Sequence, residues 1–215
     1  MHVFIAGANG QIGQHLLQEM AESDHEARAL IRHPGQGPDL QKLGATETVV
    51  GDLEHDCSEA MRGCDAVVFT AGSGPHTGPD KTIDVDQDGA IRLIDTAKAM
   101  GIKRFIMVSA LRAENPDEGP EKLQHYLWAK RKADDHLKAS GLDYTIVRPG
   151  RLTSEEGSGK VAVSVTPSEL GDIPREDVAK VLLAVLDADN THELVFDVIS
   201  GETPVGEAVA SLVRG

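Results

Sequence analysis

An α/β fold, one parallel sheet wound with helices on both faces, is predicted by two features of the 215-residue sequence. Short apolar runs alternate with amphipathic stretches through the first 150 residues. The first run, Val3 to Ala6, is followed by Gly7, Gly10 and Gly13, with Ile12, Leu16, Leu17 and Met20 at helical spacing. Strand, glycine turn and helix, in that order, form the context that gives a glycine pattern meaning.

After this first helix, Ala27 to Ile31 reads as a second strand, ended by Arg32-His33 and the turn residues Pro34 and Gly35. A short helix is predicted over Leu40 to Leu43, a third strand over Thr46 to Val50 and a helical turn over Ser58 to Met61. Asp65 to Phe69 is a fourth strand, leading into Thr70-Ala71-Gly72-Ser73-Gly74 and a Gly- and Pro-rich loop, Pro75 to Pro79. A long helix then runs to about Met100, with Ile83, Ala90, Leu93, Ile94 and Ala97 on its apolar side. Phe105 to Val108 is a fifth strand, Pro120 to Ser140 a helix, and Tyr144 to Val147 a sixth strand stopped by Pro149-Gly150. The remainder is less regular: a polar loop over Arg151 to Gly159, strands over Lys160 to Val165 and Glu193 to Val198, and helices over Arg175 to Leu186 and Pro204 to Val213. Residues 151–215 are too few for a second core, so a single domain over 1–215 is expected, its last part completing the sheet and forming a small cover.

Composition narrows the partners. The formal net charge of −14 repels phosphate backbones and anionic lipid, so neither nucleic acid nor a membrane surface is expected. Aromatic residues are scarce, which leaves the core to Val, Ile, Leu and Ala. Cys57 and Cys64 sit in no metal-ligand pattern and are too few for a disulfide framework. The N-terminus enters a strand at once, unlike a signal peptide, and no apolar run approaches bilayer length, so the cytoplasm is the expected location. Lys132, Asp135 and Lys138 on the outer face of the Pro120 to Ser140 helix argue against a dry dimer interface, and a monomer is favoured.

The glycines point to a Rossmann-type, dinucleotide-binding sheet. Gly7 lets the chain turn out of the strand, Gly10 lets a pyrophosphate approach the backbone, and Gly13 lets helix and strand pack closely. The unpaired N–H groups at the helix start would hold the phosphates. An NAD site places an acidic residue at the end of the second strand. Arg32 stands there instead, with His33 beside it, and a guanidinium suits a 2′-phosphate, so NADP(H) is preferred over NAD(H). The alternative for Arg32 is a solvated strand end. Asp52 either accepts a hydrogen bond from an adenine amine or caps its own turn.

Tyr126-Leu127-Trp128-Ala129-Lys130 puts a phenol and an ammonium on one helix face. A nearby ammonium lowers the pKa of a phenol, and the pair can then exchange a proton with an oxygen that gains or loses a hydride. Alone, the pattern also suits a surface helix pair. Ser109, ending the fifth strand at the carboxyl edge where open α/β sheets bind ligands, adds a hydroxyl that can orient a carbonyl.

Gly7-x-x-Gly10-x-x-Gly13, Asp52, Ala71-Gly72, Val108-Ser109, Tyr126-x-x-x-Lys130 and Val147-Arg148-Pro149-Gly150 together resemble the short-chain dehydrogenase/reductase superfamily, in its atypical, extended-like NAD(P)-binding members of the epimerase/dehydratase group. The resemblance implies that Ser109, Tyr126 and Lys130 are the catalytic residues. It implies phosphate contacts at Gly7, Asn9, Gly10, Gln11, Ile12 and Arg32, an adenine and ribose frame of Asp52, Leu53, Ala71 and Gly72, and Pro149 on the nicotinamide side. Lys130 would also bind the nicotinamide ribose. Lys81 either reaches this site or is a helix-start cation. One departure stands out: Asp86 occupies the position where extended members often carry Asn. The chain also lacks a large C-terminal domain for a nucleotide sugar. The expected activity is an NADP(H)-dependent oxidoreductase acting on a small carbonyl, quinone or flavin-like substrate. The alternatives are an epimerase that recycles its hydride and a non-catalytic NADP(H) sensor.

Overall fold

β1 (His2–Ala6) is an apolar strand buried on both faces, and it lies inside a sheet built around it. The computed structural model describes residues 1–72, 79–166 and 168–213; Ser73, Gly74 and the predicted loop as far as residue 78 lie outside the described residues. After β1 come α1 (Gln11–Ala21), β2 (Glu26–Ile31), α2 (Gly37–Lys42), β3 (Glu47–Val50), α3 (Ser58–Met61) and β4 (Ala66–Phe69). A short turn, α4 (Pro79–Lys81), passes into a π-helical stretch, Thr82–Gly89, and then into α5 (Ala90–Met100). β5 (Arg104–Val108), α6 (Glu121–Ala139) and β6 (Asp143–Pro149) complete the regular alternation. The last part holds β7 (Arg151–Thr153), β8 (Lys160–Ser164), β9 (Asp172–Pro174), α7 (Arg175–Leu186), β10 (Leu194–Ser200), β11 (Thr203–Pro204) and α8 (Val205–Ala210).

The sheet order is β3-β2-β1-β4-β5-β6-β10-β8-β11. Strands from β3 to β10 run parallel, and β8 and β11 close that edge antiparallel. Period-two alternation sorts the side chains into two cores. Val3, Ile5, Val68 and Ile106 join α1, α7 and α8 through Leu16, Leu17, Leu182 and Val209. Phe4, Val67, Phe69, Phe105 and Met107 join α3, α5 and α6 through Met61, Leu93, Ile94 and Leu137. Strand order reverses between β1 and β4, which makes the crevice beyond their carboxyl ends the switch point where such sheets bind ligands. Among the described residues, no helix is long and apolar enough to cross a membrane.

Three local expectations are corrected. The long helix before Met100 is not regular: Thr82–Gly89 winds as a π-helix and buries Thr82, Asp86 and Gly89. A 3.6-residue period therefore fails there, and Ile83, expected on the apolar side, is exposed. The predicted polar loop over 151–159 contains β7, which pairs with β9 in a separate two-stranded ribbon. Arg-Leu-Thr and Asp-Ile-Pro carry no alternation long enough to read, and their pairing spans about twenty intervening residues, so local sequence does not announce it. β11 is likewise only two residues long.

The segment after β7 is held by the start of α7. The fully buried Asp177 carboxylate accepts hydrogen bonds from the backbone N–H groups of Ser158 (3.0 Å) and Gly159 (2.8 Å), and Glu176 accepts one from Gly157 N–H (2.8 Å). A Cβ at Gly157 would lie 2.6 Å from Asp177 Oδ1, so the Asp177 and Glu176 side chains would have to shift. Asp177→Ala removes charge-assisted bonds from partly buried donors and is expected to cost about 2–3 kcal/mol. The check is a lower urea midpoint at unchanged denaturant slope.

Candidate active site

The glycine turn is built by sterics. Gly7 adopts φ +91°, and a Cβ there would lie 2.5 Å from Ala71 N at the end of β4. At Gly13 a Cβ would run into the Gly7 carbonyl oxygen. Gly10 differs: its φ is −75°, and a Cβ would meet only Gly7 O, at 3.2 Å. A side chain at Gly10 would thus need only the Gly7 carbonyl to yield by a few tenths of an ångström, and the residue is exposed. Gly10 N–H donates to Gly7 O (2.9 Å), closing the turn. α1 begins without a side-chain cap and without an acidic residue in its first turn, so its N–H groups and positive dipole end are available to an anion. Asn9 and Gln11 are exposed beside it, Asn9 O accepts from Gln14 Nε2 (2.9 Å), and Ile12 anchors the turn in the core.

At the end of β2, Gln36 Oε1 accepts hydrogen bonds from the backbone N–H groups of Arg32 (2.9 Å) and His33 (3.0 Å). Both side chains are exposed, and Arg32 makes no ion pair among the described residues. Asp52 Oδ1 caps its own turn by accepting Glu54 N–H at 3.0 Å. The Leu53 carbonyl accepts from Arg92, Ala71 is buried, and Gly72 is exposed at the crevice. Lys81 pairs with Glu54 and Asp84 at the surface, the helix-start reading rather than the site one.

The second half of the site lies on α6. Tyr126, Lys130 and Asp134 are four residues apart and share the face turned toward the carboxyl end of β5. Lys130 is 3% exposed; its Nζ donates to Val108 O at 3.3 Å and lies 3.0 Å from Asp86 Oδ1. The ammonium stands 5.6 Å from the centre of the Tyr126 ring and 5.9 Å from that of Phe69. Burial by itself disfavours the ammonium, but Tyr126 and Asp86 outweigh it, and the Lys130 pKa is raised. Ser109 Oγ donates to Asp134 Oδ2 at 2.9 Å, and Arg148 holds the same oxygen through Nε (3.1 Å) and Nη2 (2.9 Å). Arg148 Nη1 reaches Glu114 at 2.6 Å. Burial pushes the Asp134 carboxyl up, and Arg148 and Ser109 offset this only in part. Glu114, partly buried, is still held below its ordinary range by Arg148, Lys138 and Arg131.

The structure corrects the electrostatics expected for Tyr126. Lys130 favours the phenolate, but burial and the carboxylates of Asp86 and Asp134 win, and the phenol pKa is raised rather than lowered. The Tyr-x-x-x-Lys spacing alone could not reveal this, because it shows neither the burial of the phenol nor the Asp86 carboxylate that the π-helical stretch brings in. Ser109, Tyr126 and Lys130 thus converge at the end of β5, and Pro149, buried at the end of β6, lies on the adjoining strand. Asp134 and Arg148 were not singled out as site residues from the sequence. The available signal was that Asp134 continues the Tyr126–Lys130 stripe by one further helical turn.

The residues fit a dinucleotide. A cradle without Cβ atoms and an uncapped helix start suit a pyrophosphate. Comparison with known proteins agrees. A family model described as NAD(P)H-binding matches residues 7–189. The Bacillus subtilis (strain 168) protein YhfK, named an uncharacterized sugar epimerase, is 49% identical over 99% of this chain and 100% of its own length. Sanguinarine reductase of Eschscholzia californica is 28% identical, covering 96% of this chain and 91% of the relative. A solved Bacillus halodurans structure, named for the NAD-dependent epimerase/dehydratase group, superposes with a TM-score of 0.97 at 51% identity, covering 99% of this chain and 100% of that one. The chain belongs to the NAD(P)H-binding family, Rossmann-fold enzymes of oxidoreductase and epimerase type consistent with atypical short-chain dehydrogenases/reductases.

Proposed function

We propose that the chain is an NADP(H)-dependent reductase of a small carbonyl, quinone or flavin-like compound. The observation that carries this reading is the convergence of Tyr126, Lys130 and Ser109 at the carboxyl end of β5, beside the switch-point crevice. When bound, a dihydronicotinamide supplies hydride to the substrate. The Tyr126 hydroxyl gives its proton to the oxygen that gains charge. Lys130 steadies the resulting phenolate and is positioned by Val108 O and Asp86. Ser109, whose hydroxyl donates to Asp134, orients the substrate oxygen by turning that hydroxyl toward it, leaving Asp134 to Arg148. Exposed Lys132 and Asp135 on the outer face of α6 support action as a monomer.

The names of the Bacillus relatives favour a second reading, an epimerase that recycles its hydride. Steady-state cofactor consumption over a panel of carbonyls, quinones and flavins separates the two. Net NADPH loss matched to product marks a reductase, and substrate conversion without NADPH loss marks an epimerase.

Preference for NADP(H) rests on Arg32. Arg32→Ala is expected to weaken NADP binding by about 1.5–3 kcal/mol, tenfold or more, with NAD affinity nearly unchanged. Titrating both dinucleotides against both proteins checks this, and equal losses would remove Arg32 from phosphate recognition. Gly10→Val should leave the fold intact, since φ at Gly10 suits a side chain, yet abolish dinucleotide binding by filling the cradle. A folded variant that still binds NADPH normally contradicts the cradle's role. Tyr126→Phe should keep NADPH affinity and lose most of kcat on a carbonyl substrate. On a quinone or flavin whose reduced form takes its proton from water, the loss should be small.

A further inference from the structure

The strand end that carries Arg32 is held by a residue to which the dinucleotide reading gives no role. β2 pairs with β3 as far as Ile31, opposite Val50, and the ladder closes with Gly51 N–H on the Ile31 carbonyl (2.9 Å). The backbone N–H groups of Arg32 and His33 lie beyond it. Both go to one acceptor, Gln36 Oε1, at 2.9 and 3.0 Å. Gln36 N–H in turn donates to His33 O at 3.0 Å. Residues 32–36 therefore form a closed turn, with Pro34 inside it and its φ fixed by the ring. The far side of the turn is seated on the sheet. Gly37 is buried, with a Cβ there 3.1 Å from Thr48 Oγ1 of β3, and Leu40 of α2 lies in the core. Gln36, half-buried, thus links two exposed residues, Arg32 and His33, to a packed base.

We propose that Gln36 is a positioning residue for cofactor selection: it fixes the backbone from which the Arg32 guanidinium meets the 2′-phosphate of NADP(H). The inference rests on the NADP(H) reading and deepens it. A side chain leaves the backbone in a direction set by φ and ψ. An arginine on a loose strand end must order its own backbone when it binds, and that ordering costs affinity. Two N–H groups pinned before the ligand arrives remove part of the cost. The choice of acceptor has its own chemistry. A glutamine oxygen satisfies both donors without bringing a charge. A glutamate in its place would hold the same donors and repel a phosphate. The 2′-hydroxyl of NAD(H) carries no charge to be repelled. Selection between the two cofactors therefore falls to a pair of residues, Arg32 as the cation and Gln36 as its neutral anchor.

The test is calorimetric titration of NADP and of NAD into the wild-type protein, Gln36→Met, Arg32→Ala and the double variant, with the fold followed by circular dichroism. Methionine keeps the length of glutamine and removes the acceptor. Gln36→Met is expected to weaken NADP by about three- to tenfold, the scale of an ordinary hydrogen bond, and to leave NAD unchanged. In the Arg32→Ala background the same change should cost NADP nothing more, because the positioned group is gone. Gln36→Glu keeps an acceptor, so it should bind NAD as the wild type does and lose about tenfold or more for NADP. If Gln36→Met does not fold, Gln36→Glu decides, and wild-type NADP affinity in that variant overturns the inference. Equal losses of NADP and NAD in Gln36→Met overturn it too. So does a loss that persists in full beside Arg32→Ala, since Gln36 then acts on something other than the guanidinium. Unchanged NADP affinity in Gln36→Met, with a selective NADP loss in Arg32→Ala, overturns the inference and keeps the NADP(H) reading. Equal losses of both dinucleotides in Arg32→Ala overturn that reading, and the inference with it.

Discussion

Close backbone contact at Gly7 is the constraint on which the rest of the molecule depends. The end of β1, the start of α1 and the end of β4 meet there at distances that no Cβ could share, with Gly7 in the left-handed region against Ala71 and Gly13 against the Gly7 carbonyl. This contact sets the start of α1 over the switch point, between strands whose alternate residues fill two separate cores. A larger residue at Gly7 or Gly13 would push helix or strand apart and lose packing on both faces at once. Gly10, exposed and met only by the Gly7 carbonyl at 3.2 Å, is the exception among the three.

Beneath the crevice the protein buries charge, which is costly unless every ion is paired. Removing an ion from water costs several kcal/mol, and breaking one member of a buried pair typically costs about 3–5 kcal/mol because the other is left uncompensated. Asp86 with Lys130, and Asp134 with Arg148, Ser109 and Glu114, form two such sets joined through α6. Well-packed apolar residues could fill the same space at no greater cost. What the charges add is position. They hold the Lys130 ammonium within 5.6 Å of the Tyr126 ring and tie the ends of β5 and β6 to one face of α6.

The π-helical stretch connects these two features. It follows α4 directly, interrupts the regular winding before α5, and buries Asp86. Gly72 on one side and Lys130 on the other define where the carboxylate stands. The local geometry of one short segment therefore sets a carboxylate beside an ammonium on a different helix.

Much of the fold was legible in the residues because its signals are local. Apolar runs such as Val3 to Ala6 and Phe105 to Val108 can only be buried strands, the 3.6-residue stripe of α1 can only face a sheet, and Gly7 and Gly13 announce a tight strand-to-helix turn. The dinucleotide cradle, the Tyr126–Lys130 helix face and the serine at the end of β5 follow from those elements and their order. The tertiary structure decided what depends on residues far apart in the chain. β7 met β9 across a stretch with no periodicity, Ile83 turned outward with the π winding, and the Ser109 hydroxyl donated its hydrogen bond to Asp134. Asp86 came within 3.0 Å of Lys130, and burial of the phenol, with Asp86 and Asp134 beside it, raises the Tyr126 pKa where the spacing alone implied a fall. A spacing of four on one helix fixes which side chains are neighbours, but the charge a neighbour presents depends on every element packed against it, and only the folded chain brings those elements together.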